Sequence, residues 1–184
     1  MHHPFHRKRY HTTLSSKLLS SHRAAILPRW VQLILQSYPA DTARLLESEP
    51  DQFLNPVGSN ISREAETLFG EIEGEMGEEK LSASLDSLMS IRAVQDFPPS
   101  KAVGIIFLLK QAVREGLKDE PHDARFYEEL QEIESRVDRV ALMAFDQYMG
   151  RREKIYELKV REASERADAI LGRMYFVPGA PDEM

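Results

Sequence analysis

Cysteine is absent from the sequence. Its absence excludes disulfides, thiol redox chemistry and any cysteine-ligated metal or cluster, and is compatible with a reducing compartment. Long apolar runs are missing too. The most apolar stretch, Ala102 to Leu109, is far shorter than the roughly 18 residues a membrane span needs. No segment reads as a secretory signal. These absences predict a cytoplasmic protein without a membrane anchor. Strand signals are lacking as well, because short β-branched runs such as Val103 to Phe107 sit in helical contexts, and no internal repeat is found. Outside the first 13 residues only His22 and His122 remain of the six histidines, neither on a clearly apolar face where a haem ligand is expected. There is no Gly-rich phosphate loop, HExxH or GxSxG, and no paired E-x-x-H elements for a carboxylate metal site. Glu71, Glu73, Glu75, Glu78 and Glu79 read as a solvated helix surface. The expectation is a protein that is no enzyme and holds no metal or cofactor.

Acid is missing from the start of the chain. The first 40 residues hold Arg7, Lys8, Arg9, Lys17, Arg23 and Arg29 and no Asp or Glu; Asp41 is the first acid. Six of the 24 basic residues are thus spent there, leaving 18 against 30 acids, a net of −12 for the rest. So acidic a body argues against nucleic-acid binding. The basic arm either touches an anionic surface or is simply solvated. Its histidines, His2, His3, His6 and His11, read as a metal-binding tract or as part of a disordered tail over residues 1–13. Its Arg/Ser-rich composition is that of a transit peptide, but the folded body already reads from Leu18.

What is present is helix. With 184 residues and 42% hydrophobic content, the chain has room for one domain with a genuine core, placed at residues 14–174 with a flexible tail over 175–184. The centre of the pattern is Ile91 to Lys110. A helix ends near Asp96, Phe97 is pushed extended by the proline after it, and Pro98 and Pro99 suit a helix start. Ala102, Val103, Ile105, Ile106, Phe107, Leu108 and Leu109 then leave almost no polar face, so Pro99 to Leu117 is read as the buried central helix. Arg92, Gln95 and Asp96, just before it, either tie down the junction or line a ligand pocket there. Trp30, the single tryptophan, is a core anchor or a platform in that pocket.

The other elements follow in order. Leu14 to Tyr38 is helical, with Leu18, Ile26, Trp30, Leu33 and Ile34 at helical spacing, and Pro28 kinks it or begins a new helix. Asp41 caps a short helix over Thr42 to Ser48, stopped by Pro50. Phe53 and Leu54 pack down from a loop. Asn55 before Pro56 is a strong start signal, and Ile61, Ala65, Leu68, Phe69, Ile72 and Met76 continue that helix to Gly74 and Gly77. Leu81, Leu85 and Leu88, with Val94 at its end, trace the next. Beyond the turn at Gly116 to His122, Phe126, Leu130, Ile133, Val137, Val140, Ala144 and Tyr148 trace a long apolar stripe, with Gly150 its weak point.

Past Gly150 the spacing changes. Tyr156, Val160, Ala163, Ala167, Ile170 and Met174 recur every four or three residues, a heptad seam within charged flanks. This extended C-terminal helix, residues 153–174, packs on its own domain or pairs with a second copy. The second reading is preferred, which predicts a homodimer.

Several stretches resemble a known family. They are Ala25-Ile26-Leu27 with Arg29-Trp30 and Leu33 to Tyr38-Pro39; Phe53 and Asn55-Pro56-Val57-Gly58; Ile91 to Phe97 with Pro99-Ser100 and Phe107 to Lys110; and Phe145, Tyr148-Met149 and Arg152 to Tyr156. In this order they resemble the N-terminal sensor domain of the RsbR-type co-antagonist proteins of bacterial stressosomes, in the RsbRD-like subgroup. The resemblance implies an all-α, globin-like, haem-free helical bundle that dimerises, with a final helix passing a signal on. In the family that helix leads to a STAS domain; here the expectation is a stand-alone form without one. Pro98 stands where relatives carry a hydroxyl residue that would cap the central helix.

The sequence therefore predicts a non-enzymatic signalling domain that relays a signal through its C-terminal helix to a protein partner not identified by the sequence. The alternative is a structural or accessory subunit that docks on a larger complex, such as a redox complex, through its basic arm and Phe176-Val177. A third reading is a small-molecule binder with its pocket among the core helices.

Overall fold

The structure, a computed structural model, describes residues 14–48 and 53–175, with side chains described over 17–48 and 53–172. The expected basic tail, Pro50, and the Phe176-Val177 contact lie outside the described residues. Seven helices and no strand are found among the described residues: α1 (Leu14–Ser21), α2 (Arg23–Gln36), α3 (Ala40–Ser48), α4 (Pro56–Glu73), α5 (Glu78–Val94), α6 (Pro99–Gly116) and α7 (Ala124–Tyr175). The architecture is an all-α bundle with a long C-terminal helix, as the sequence predicts.

Apolar periodicity accounts for the core. α6 lies between α2 and α7, and α5 between α4 and α7. Trp30, Ile34, Leu68, Phe69, Leu85, Ile106, Leu109, Val137 and Tyr148 are all buried in one continuous cluster. Trp30 is fixed by more than packing: its indole N–H donates to the Ile105 carbonyl at 2.9 Å, tying α2 to the middle of α6. α4 is pinned at both ends. Asn55 accepts from the Gly58 N–H at 2.9 Å as its N-cap and donates to the Leu46 carbonyl at 2.8 Å. At the other end the buried Arg136 of α7 donates to the Ile72 and Gly74 carbonyls at 2.8 and 3.0 Å, covering terminal carbonyls that a helix leaves unbonded.

The structure corrects the sequence reading in several places. The break in the first helical stretch falls at His22, not at Pro28. The His22 ring Nδ1 lies 3.1 Å from the Leu18 carbonyl and from Ser21 Oγ, closing α1 locally. α2 runs on through Pro28, which lacks an N–H for the Ala24 carbonyl, on a face where both residues are exposed. α3 begins at Ala40, so Asp41 is not its cap but lies in the first turn, where it pairs with Arg44 at 3.0 Å. Phe53 and Leu54 do not pack down: they are 85% and 70% exposed, and only Asn55 of that turn is drawn inward. The central helix ends one residue early, and Phe107 opens one side of it to solvent. Gly150 interrupts nothing, since α7 is one helix of 52 residues, about 78 Å long at 1.5 Å per residue.

Asn55 is the local feature on which the α3–α4 corner most depends. Replacing it with Ala removes the cap and leaves the Leu46 carbonyl without this donor, and is expected to lower stability by about 1–2 kcal/mol. Urea unfolding of the two proteins with equal slopes checks this.

Candidate functional site

Residues 95–98, the link from α5 to α6, are built by their own sequence. The backbone N–H of Asp96 donates to the Ala93 carbonyl at 3.2 Å, and that of Phe97 to the Arg92 carbonyl at 3.2 Å. This is a Schellman arrangement, in which the residue after the C-cap takes the left-handed conformation, usually as glycine. Here that residue is Asp96, with φ at 60°. Aspartate tolerates the conformation better than most side chains because its short carboxylate bonds locally. The motif also brings its last residue against the helix three positions from the C-cap, and here Phe97 meets Arg92. Pro98 follows with φ −61° and ψ 147°, and offers no side-chain cap to α6.

Arg92 is the chief electrostatic feature of this junction. It is 1% exposed, its guanidinium carbon lies 4.5 Å from the Tyr38 ring centre and 4.4 Å from that of Phe97, and the two rings meet edge-on at 5.3 Å. Nη2 donates to Ser37 Oγ at 2.6 Å, just past the end of α2. No carboxylate pairs with Arg92 among the described residues. Burial pushes its guanidinium pKa down, partly offset by Tyr38, and burial pushes the Tyr38 phenol up. The cation is therefore stabilised by ring faces and by the carbonyl ends of two helices, not by a counter-charge.

The far side of the same link is tied to α7. Tyr148, buried, donates its hydroxyl to the Phe97 carbonyl. Arg152, one turn further along, pairs with the exposed Asp96 carboxylate, and also hydrogen-bonds the Tyr156 hydroxyl and lies over its ring. Hydrogen bonding from Arg152 holds the Asp96 carboxyl below its ordinary range. One link thus touches the buried Arg92 on one face and α7 on the other.

Of the residues singled out from sequence, Arg92 and Asp96 lie at this junction, and Gln95 is its exposed C-cap. Trp30 is completely buried and anchors α2 to α6, away from the Asp96–Arg152 pair. Sequence reasoning missed Tyr38, Phe97, Tyr148 and Arg152 as members of the junction. A signal for two of them existed: Tyr148, Arg152 and Tyr156 are four apart, which puts them on one helix face.

The seam residues stand clear of the bundle. Ile155 is the last α7 side chain packed on the core. Tyr156, Val160, Ala163, Ala167 and Ile170 are all exposed, as is every described side chain from 156 to 172. Among the described residues, these five seam side chains do not pack on their own domain. Met174 lies in α7 where only the backbone is described. The exposed apolar line begins earlier than the sequence reading placed it, with Leu142, Phe145 and Met149.

No three His, Asp or Glu side chains come together as a metal site among the described residues, and no described helix is long and apolar enough to cross a membrane. Arg152 controls the titration of Asp96. A carboxylate whose folded pKa is depressed contributes stability above its unfolded value, and loses it as pH falls through the lower folded value. In an NMR titration the Asp96 carboxyl is expected below the ordinary carboxylate value of about 4, returning to it in Arg152→Gln. Because the pair is exposed, raising salt narrows the difference.

A family model described as the RsbT co-antagonist protein rsbRD N-terminal domain matches residues 24–163. No curated protein and no solved structure matches the chain.

Proposed function

Because the chain belongs to the family of RsbT co-antagonist protein rsbRD N-terminal domains, we propose that it is a non-enzymatic regulatory domain that passes a change at the α5–α6 junction along α7 to a protein partner. The family is one of stressosome-associated signalling domains, and a cytoplasmic place of action fits that role. The observation that carries the reading is the double attachment of residues 96 and 97. Phe97 leans on buried Arg92, while its carbonyl and the Asp96 carboxylate are held by Tyr148 and Arg152 of α7. A shift of the link therefore acts directly on the base of the projecting helix. Small displacements of packed helices at an interface are an established route of switching.

α7 beyond Ile155 favours an output by association. A single helix projecting into water has little tertiary support, and isolated helices of this length are marginal. Tyr156, Val160, Ala163, Ala167 and Ile170 form one apolar line between charged flanks, the pattern by which a helix lies along another. Continued through Arg152, Met149 and Phe145, the line has spacings of three and four with one extra four, at 152-156-160, a stutter that locally unwinds a coiled coil. In this reading the seam pairs with the same seam of a second copy, making a parallel or antiparallel homodimer.

Two measurements test these claims separately. A chain ending after Arg152 is expected to sediment as a monomer where the full chain is a dimer; a stable truncated dimer sinks the seam as the interface. Asp96→Asn tolerates the left-handed backbone but weakens the tie to Arg152. It is expected to speed amide hydrogen exchange in residues 160–172, beyond Lys159, whose charge acts on Asp96, and unchanged exchange there would refute the relay.

A further inference from the structure

The Arg92 cluster is incomplete as a piece of buried chemistry. Arg92 Nη1 and the Tyr38 hydroxyl are both enclosed and both without a hydrogen-bond partner. Arg92 is 1% and Tyr38 6% exposed. An enclosed donor without an acceptor is costly, and more so when charged. Buried cations are normally paired. Each of the other buried or half-buried arginines of the bundle has an acidic partner: Arg23 with Glu66 and Glu73, Arg29 with Glu115, Arg136 with Glu132, Arg151 with Asp86 and Arg152 with Asp96. Arg92 has a serine hydroxyl and two rings. The one acid close by in sequence, Asp96, is held by Arg152.

We propose that Arg92 and Tyr38 form a binding site for a small monovalent oxyanion, of carboxylate or nitrate size, beside Phe97 at the C-terminal end of α5. The charge of the guest follows from the host, which holds one cation and no acid. The Tyr38 and Phe97 rings sit side by side against the guanidinium, their centres 5.3 Å apart, and Nη1, which meets no acceptor, is the donor from which an oxyanion accepts. A second oxygen then accepts from the Tyr38 hydroxyl. The carbonyl ends of α2 and α5 offset only part of a unit charge, so an anion remains the better complement. Ser37, which bonds Arg92, is exposed, so the cluster lies close beneath the surface. This deepens the relay reading and rests on it for one clause only: Phe97 covers the site, so occupancy moves the link that α7 holds.

The test is calorimetric titration of the full chain with sodium formate, sodium acetate and sodium nitrate at constant ionic strength, balanced with chloride. At least one of the three is expected to bind saturably. Tyr38→Phe keeps the ring and loses the hydroxyl, and should weaken binding about tenfold, the value of one hydrogen bond. Arg92→Met should abolish binding, and if it does not fold, Tyr38→Phe still decides. Absence of saturable binding by all three anions, or equal affinity in Tyr38→Phe, overturns the site. Saturable binding that leaves hydrogen exchange of residues 153–172 unchanged keeps the site and overturns its coupling to α7.

Discussion

The left-handed turn at Asp96 is the constraint around which the bundle is arranged. A residue with φ at 60° reverses the chain in one step, so α6 can start at Pro99 and enter the core beside α5. The same step sets three side-chain and carbonyl directions together. It swings the Phe97 ring back over Arg92, turns the Phe97 carbonyl towards Tyr148 and leaves the Asp96 carboxylate facing Arg152. Glycine would make the turn with less strain, but without a carboxylate for α7. A non-glycine residue in this region costs up to order 1–2 kcal/mol, less for aspartate than for most side chains, and its carboxylate adds the tie to Arg152.

The two parts of α7 obey different physics. From Phe126 to Tyr148 one face of it is core, and burial of that face holds the helix in place. From Tyr156 to residue 172 every side chain is exposed among the described residues. Between them lies a short zone, Tyr148 to Tyr156, in which polar contacts join the packing of Tyr148 and Ile155: Arg151 to Asp86 on α5 at 2.7 Å from Nε, and Arg152 to Asp96. Apolar contacts lock the lower part, while exposed ion pairs are individually weak and adjustable. A zone of adjustable contacts between a fixed base and a free rod is where a small shift of one element can alter another.

Much of this could be read from the residues, and the limits are physical. The all-α class, the central helix at Pro99 and the Asn55-Pro56 start follow from 3.6-residue spacing and capping chemistry, which are local. Proline is the stronger local breaker and draws the expected kink or new start to Pro28, whereas the helix continues through it and the break falls at His22. Hydrophobicity alone places Phe53 and Leu54 inward, and it cannot see which way a turn aims its side chains. The junction was legible as Arg92 and Asp96 but not as a site with Tyr38 and Tyr148. Those partners are 55 or so positions away in the chain and come together only through tertiary packing. Trp30 was read both as anchor and as pocket wall, and its bond to the Ile105 carbonyl shows the anchoring.

Since α7 crosses from bundle to rod as one unbroken helix, through Gly150 and past the last core contact at Ile155, the two are locked in angular phase. Each residue of helix advances the direction of a side chain by about 100°. One residue inserted or lost between Ile155 and Tyr156 would leave both parts folded yet aim the apolar line a quarter-turn or more away. Changes in multiples of seven, or near to it, would nearly restore the aim. The length of this segment is therefore a geometric quantity in its own right, and drift in length would be tolerated here only in steps of whole turns.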